Sequence, residues 1–269
     1  MPVRRGGSIP SILFAIGSVS ALALFWRWYQ QAYAFSHGLN SHDPGFGKYW
    51  LGMAAANMIL LPIAAGVWYV WLWASAQKLP KDVSRKEESR RLWNLWLLVA
   101  AFTTSVYWGG SYFAEEDASW HQIVIRDTAF TPSHSVLFYG VFPLMIYMAG
   151  GLYLYSRTRL PHIYGGKRFP VSYGLIISGT VLLFFQVTMN EFGHSFFQPE
   201  ELFAAPLHWP FVLFGYLLAG TFAIWFETLP RIMQLARQEK ELAQAAAGAP
   251  AATAVAAAQT GDAAAASAR

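Results

Sequence analysis

The chain has 269 residues, of which 55% are hydrophobic, 17% aromatic and only 13% charged, with a formal net charge of +4. That balance excludes a soluble globular domain and a nucleic-acid-binding module; it describes a polytopic membrane protein with aromatic belts. With no cysteine in the chain, disulfides, iron–sulfur clusters and thiolate metal sites are excluded, so any metal must be held by imidazole, carboxylate or amide groups.

Residues 1–8 carry Arg4 and Arg5 and read as a cytoplasmic N-terminus. The apolar run from Ile9 to Tyr33 is too long for a signal-peptide core and reads as a retained helix, with Arg27 snorkelling among Trp26, Trp28 and Tyr29. A loop with His37, His42, Asp43 and Pro44 follows, and Gly45 and Gly47 mark its turns. The second span, Trp50 to Ala76, contains Pro62, where a kink is expected, and Asn57, which needs an interhelical partner. After a dense charged loop, Lys78 to Arg91, the third span runs from Leu92 to Phe113. The fourth covers Pro132 to Tyr155, with Pro143 and the Gly150–Gly151 pair inside it. The fifth runs from Pro170 to Asn190 and the sixth from His208 to Thr228, with a short interfacial helix expected between Glu191 and Pro206.

The expectation is an all-α, polytopic integral membrane bundle of about six transmembrane helices over residues 9–230, followed by a loosely ordered, Ala-rich cytoplasmic tail, residues 231–269. Basic residues concentrate at the N-terminus, in the loops after spans two and four, and after span six, which puts both termini in the cytoplasm.

The polar residues then fall at the outer ends of the spans. Asp117 and His121 are four apart, on one helical face, and His134 lies just inside the next apolar run after the helix start Thr131-Pro132. A carboxylate and two imidazoles converging there make a two-His, one-carboxylate metal site. The pattern recurs at an offset of about seventy-three residues: Asn190 and His194 are four apart, and His208 follows Ala205-Pro206-Leu207 as His134 follows Thr131-Pro132-Ser133. The second set is weaker, because a neutral amide is a poorer ligand than a carboxylate. Ionisable groups in a membrane are costly enough to be functional as a rule. Copper, non-haem iron and zinc all suit such donors.

Other polar residues have plainer readings. His37, His42 and Asp43 read as solvated loop residues, and His162 as structural or solvated. Arg126 and Asp127 read as an ion pair or cap within the loop. Glu116, Glu191, Glu200 and Glu201 are candidate partners for imidazole N–H groups or proton relays.

Several long motifs carry a resemblance. They are the Tyr-Trp-Gly-Gly-Ser-Tyr-Phe run ending at Phe113, Asp117-Ala-Ser-Trp-His121-Gln, Arg126-Asp-Thr-x-Phe-Thr-Pro-Ser-His134, Thr158-Arg159-Leu160-Pro161, Asn190-Glu-x-Gly-His194, and Glu200-Glu201-Leu202-Phe203-x-Ala205-Pro206-Leu207-His208. In these the chain resembles the C subunit of the copper membrane monooxygenases, the family of particulate methane and ammonia monooxygenase. The likeness extends from Phe25 to Leu229, and the upstream Tyr33-Ala-Phe-Ser-His37-Gly stretch is similar to the ammonia-oxidising branch.

The resemblance implies copper at Asp117, His121 and His134 and a second copper position at Asn190, His194 and His208. It also implies A and B partner subunits in a trimer of heterotrimers, a quinol electron donor, and a bacterial inner or intracytoplasmic membrane with the metal sites facing outward. The expected reaction inserts one oxygen atom from O₂ into methane, a short alkane or alkene, or ammonia. Phe185, Thr188 and Phe192 stand where the family pattern has Pro, Gly and an aromatic usually Trp, and these departures lean toward a short-chain hydrocarbon enzyme. Two alternatives remain: a non-catalytic, copper-storing subunit, and a di-haem membrane cytochrome ligated by His121, His134, His194 and His208.

Overall fold

The computed structural model describes residues 9–37, 42–79, 83–114, 116–117, 131–166, 168–196 and 209–266, without side chains at 186–196, 209–212, 214 and 247–266. Among these residues every regular element is helical: α1 (Ile9–His37), α2 (Gly47–Ala76), α3 (Arg85–Tyr107) with a π-helical extension (Trp108–Phe113), α4 (Pro132–Arg159), the single turn α5 (Pro161–Tyr164), α6 (Val171–Phe196) and α7 (Trp209–Ala266). Three of them, α1, α2 and α4, are long and apolar enough to cross a membrane, and Val171–Phe185 in α6 is a shorter apolar helix.

The chain divides into two compact units, Met1–Trp225 and Phe226–Arg269. In the first, α4 is the hub. It packs against α2, α3 and α6, while α1 packs on α3. Of the most apolar stretch of α4, 67% is buried, against 11% for α1 and 17% for α2, so α4 forms the core and the other two present their apolar surface outward. Ile9, Leu13 and Phe14 of α1 and Leu60, Ile63, Val67 and Val70 of α2 are exposed, the apolar surface of a membrane protein facing lipid or partner helices. The inward stripe of α1 is Ala23, Trp26, Gln30 and Ala34, at helical spacing.

Glycines set the closest approaches. A Cβ at Gly151 would lie 1.9 Å from the Trp68 ring, and one at Gly109 would lie 2.8 Å from both Met145 and Val141. These contacts join α2 and the π-helical end of α3 to α4. In α4 a π-helical turn, Leu137–Val141, falls just before Pro143, where the missing N–H and the bulk of the ring disrupt the regular ladder. Pro62 lies within the continuous helix of α2. The second unit is helical through Ala266, as alanine's high intrinsic propensity favours.

Candidate metal centre

The π-helical end of α3 leads into Glu116 and Asp117. Arg27 of α1 reaches across to the end of α3: its Nη1 donates to Glu116 Oε1, and its guanidinium lies 6.0 Å from the Tyr112 ring centre. The ion pair ties α1 to the segment beside Asp117.

Asp117 meets the start of α4. Thr131 is extended (φ −89°, ψ 166°), and its hydroxyl accepts from the backbone N–H of His134 at 3.1 Å, capping the helix. Ser133 Oγ donates to Asp117 Oδ1 at 2.5 Å and lies 3.0 Å from Thr131 Oγ1. Because the one Ser133 proton goes to the carboxylate, the Thr131 hydroxyl is the donor to Ser133. A directed chain therefore runs from His134 N–H through Thr131 and Ser133 to Asp117. The positive end of the α4 dipole adds a favourable field for that carboxylate.

His134 is fully buried and Asp117 is 5% exposed. His134 Nε2 lies 3.3 Å from Asp117 Oδ1, and the imidazole stands edge-on to Phe138 one turn below, with ring centres 4.9 Å apart. Two ligands of one metal, with bonds of about 2.0 Å at a tetrahedral angle, are separated by about 3.3 Å. The pair thus has the spacing, burial and donor chemistry of two legs of a metal site.

His121 and His208 lie outside the described residues. Asn190 and His194 sit on one face of α6, four residues apart, and their side chains are likewise outside the description. Among the described residues no group of three or more His, Asp or Glu converges. His37 is exposed at its Ser36 contact (Nδ1 to Oγ 2.7 Å) and lies 4.3 Å, centre to centre, from the Tyr49 ring. The turn that follows is made by Gly45 at φ +92°, beside His37 and Tyr49.

At the opposite end of the bundle, two arginines counted only as loop charges in the sequence are buried. Arg159 donates to Leu72 O at 3.0 Å and to Ser75 Oγ at 2.6 Å; Arg91 donates to Arg159 O at 3.0 Å and to Glu87 Oε1 at 2.9 Å. The Arg91 guanidinium satisfies the carbonyl of Arg159, the last residue of α4, and the Arg159 guanidinium ties α4 to the end of α2. His162, itself exposed, pairs with the buried Glu88 at 2.8 Å. The available signal was weak: Arg at a helix end reads equally as a topology charge.

A groove of about 590 Å³ is lined by Ile16 and Ser20 of α1, by Trp96, Thr103 and Thr104 of α3, and by Trp108. Both threonine hydroxyls bond carbonyls of their own helix, so they contribute little polarity to its walls.

Fold and site together define an all-α membrane protein with a buried carboxylate–imidazole pair clamped at a capped helix start. The family model for the C subunit of ammonia monooxygenase/methane monooxygenase matches residues 9–239, most of the chain, and includes every residue of both triads. The chain belongs to that family and is part of a monooxygenase complex. A search of curated proteins returned no match.

Proposed function

We propose that this subunit holds copper in a membrane monooxygenase that transfers one oxygen atom from O₂ to methane, another short alkane or alkene, or ammonia. The observation that carries the reading is the buried approach of His134 Nε2 to Asp117 Oδ1, supported by family membership. Asp117, His121 and His134 would hold one copper, and Asn190, His194 and His208 a second. Copper bound there would supply redox activation of dioxygen. The chain's own residues orient and insulate the site. Ser133 fixes the carboxylate, Thr131 fixes the turn that carries His134, and Phe138 limits rotation of the imidazole. Asp117 contributes a formal negative charge that Asn190 lacks, which offsets part of the cost of a cation in low-dielectric surroundings.

The complex would include A and B subunits as a trimer of heterotrimers, take electrons from a quinol, and place both triads on the outer side of a bacterial inner or intracytoplasmic membrane. The alternation of basic loops supports that orientation.

The test is oxidation of methane, propane, ethylene and ammonia by membranes carrying Asp117→Asn, His121→Ala or Asn190→Ala in the assembled complex. Asp117→Asn should lower activity, and His121→Ala should lower it further. Full activity in all three would make this subunit a scaffold rather than a copper-binding participant.

A further inference from the structure

Four buried polar atoms lie along the junction of α1, α2 and the first turns of α4. They are Gln30 Oε1, Trp50 Nε1, Asn57 Nδ2 and Ser135 Oγ, and none has a hydrogen-bond partner among the described residues. Gln30 is 4% exposed, and Trp50 and Ser135 are fully buried.

Their placement is consistent across the three helices. Trp50 packs with Phe46 against Ala34, one turn beyond Gln30 on the inward stripe of α1, and its ring stands perpendicular to Tyr29 at 5.4 Å. Asn57, two turns along α2 from Trp50, meets Trp26 at Gly140 of α4, where an added Cβ would lie 3.1 Å from Trp26 Cζ2 and 3.3 Å from Asn57 Nδ2. Trp26 is one turn before Gln30 on the same stripe. The first turn of α4, which carries Ser135 beside His134, packs against both α1 and the π-helical start of α2. The four groups line the junction of α1, α2 and α4, and Ser135 adjoins His134 in sequence.

Their hydrogen-bonding roles are complementary. Trp50 and Asn57 present N–H donors, Gln30 presents an acceptor, and Ser135 can do both. Buried polar groups are rarely left unmade, and internal water is the usual partner of those that protein atoms leave unsatisfied.

We propose that this seam binds a file of ordered water, held by Trp50, Gln30, Asn57 and Ser135, and that the file delivers protons to the Asp117–His134 centre. The proton role rests on the proposed monooxygenase reading: reducing dioxygen to an inserted oxygen atom and water consumes protons along with the quinol's electrons, and the centre itself is buried. Ser135, adjacent to His134, is the last group of the file before the centre.

The experiment uses the intact complex in its native membranes. X-ray-generated hydroxyl radicals would mark side chains that touch internal water, with modification mapped by mass spectrometry. Trp50 and Trp26 should be oxidised despite their burial, at doses that modify the exposed Phe169. Gln30→Leu and the small change Ser135→Ala should each lower Trp50 modification several-fold. Each should also lower kcat at unchanged KM and enlarge the solvent isotope effect on turnover. Absence of label at Trp50 and Trp26 would overturn the water file, whatever the activity. Label that falls in the variants, with kcat and isotope effect unchanged, would overturn the proton role. Failure of the copper reading would appear elsewhere, as full activity in Asp117→Asn and His121→Ala, with the labelling pattern intact.

Discussion

His134 Nε2 lies 3.3 Å from Asp117 Oδ1, joining the end of α3 to the start of α4 through two side chains that water scarcely reaches. The carboxylate is not left to find this position alone, because Ser133 donates to the same oxygen and is itself held by the cap residue Thr131.

Removing the cap should therefore act at two levels. Thr131→Ala leaves the His134 N–H without its acceptor and should cost about 1 kcal/mol of stability, the usual value of a lost N-cap. Thr131→Ser should restore it. Ser133→Ala removes a donor to a buried carboxylate, so it should cost at least as much stability and also loosen Asp117, lowering metal retention more than Thr131→Ser does. Thermal unfolding and metal content of the purified complex measure both effects, and equal retention in the two variants would contradict the positioning role of Ser133.

The helix contacts make a second prediction. A Cβ at Gly151 would collide with the Trp68 ring, which fills the space between α2 and α4 at that level. Gly151→Ala should cost roughly 1–3 kcal/mol by overpacking. A Trp68→Leu partner change, which removes the clashing ring, should recover part of the loss. Melting curves of the single and double variants would show it; additive losses would argue against a direct clash.

The arginine-rich end gives a prediction in stability and pH. Arg159→Met removes buried, charge-assisted bonds to Leu72 O and Ser75 Oγ and should cost about 2–4 kcal/mol; Arg159→Lys should rescue little, because it lacks the forked donors. Nearby, hydrogen bonding from Arg90 holds the Glu87 carboxyl below its ordinary range; partial burial opposes this, and Arg91 adds to the lowering. A carboxylate lowered in the folded state contributes fully above its ordinary pKa and loses that contribution as pH falls through the lower folded value. Stability should decline across that acidic window, and Glu87→Gln should flatten the decline. A parallel pH profile in the variant would assign the effect to other groups.

Much of the fold was legible because lipid-facing helices are long and apolar. The runs beginning at Ile9, Trp50, Leu92, Pro132, Pro170 and His208 all overlie helices. Boundaries were less legible, since hydropathy detects only the lipid-facing part. It placed the start of the third run at Leu92, whereas α3 begins at Arg85, its first turns stabilised by Ser84 capping Glu87 N–H and by the burial of Glu88 and Arg91. The Ser84-Arg85-Lys86-Glu87 pattern is itself a helix-start signal, although the Glu87 carboxylate bonds Arg90 and Arg91.

At the candidate site, the approach of Asp117 to His134 follows from a readable feature, the Thr131-Pro132 helix start. The Arg27–Glu116 pair does not, because it joins residues 89 positions apart, and local spacing carries no information about such partners. The two buried arginines escaped for a related reason. Whether a terminal Arg points to solvent or to a neighbouring helix is decided by packing, not by its own sequence context.

The central claim is that Asp117, His121 and His134 bind copper together. It is tested most directly by copper K-edge absorption spectroscopy on the assembled complex, comparing wild type with Asp117→Asn and with His121→Ala. Nitrogen and oxygen neighbours are expected at about 2.0 Å, with imidazole scattering that weakens in His121→Ala. Bound copper should fall in Asp117→Asn and fall further in His121→Ala, while the complex stays assembled in both. Unchanged copper content and an unchanged coordination shell in both variants would contradict the claim.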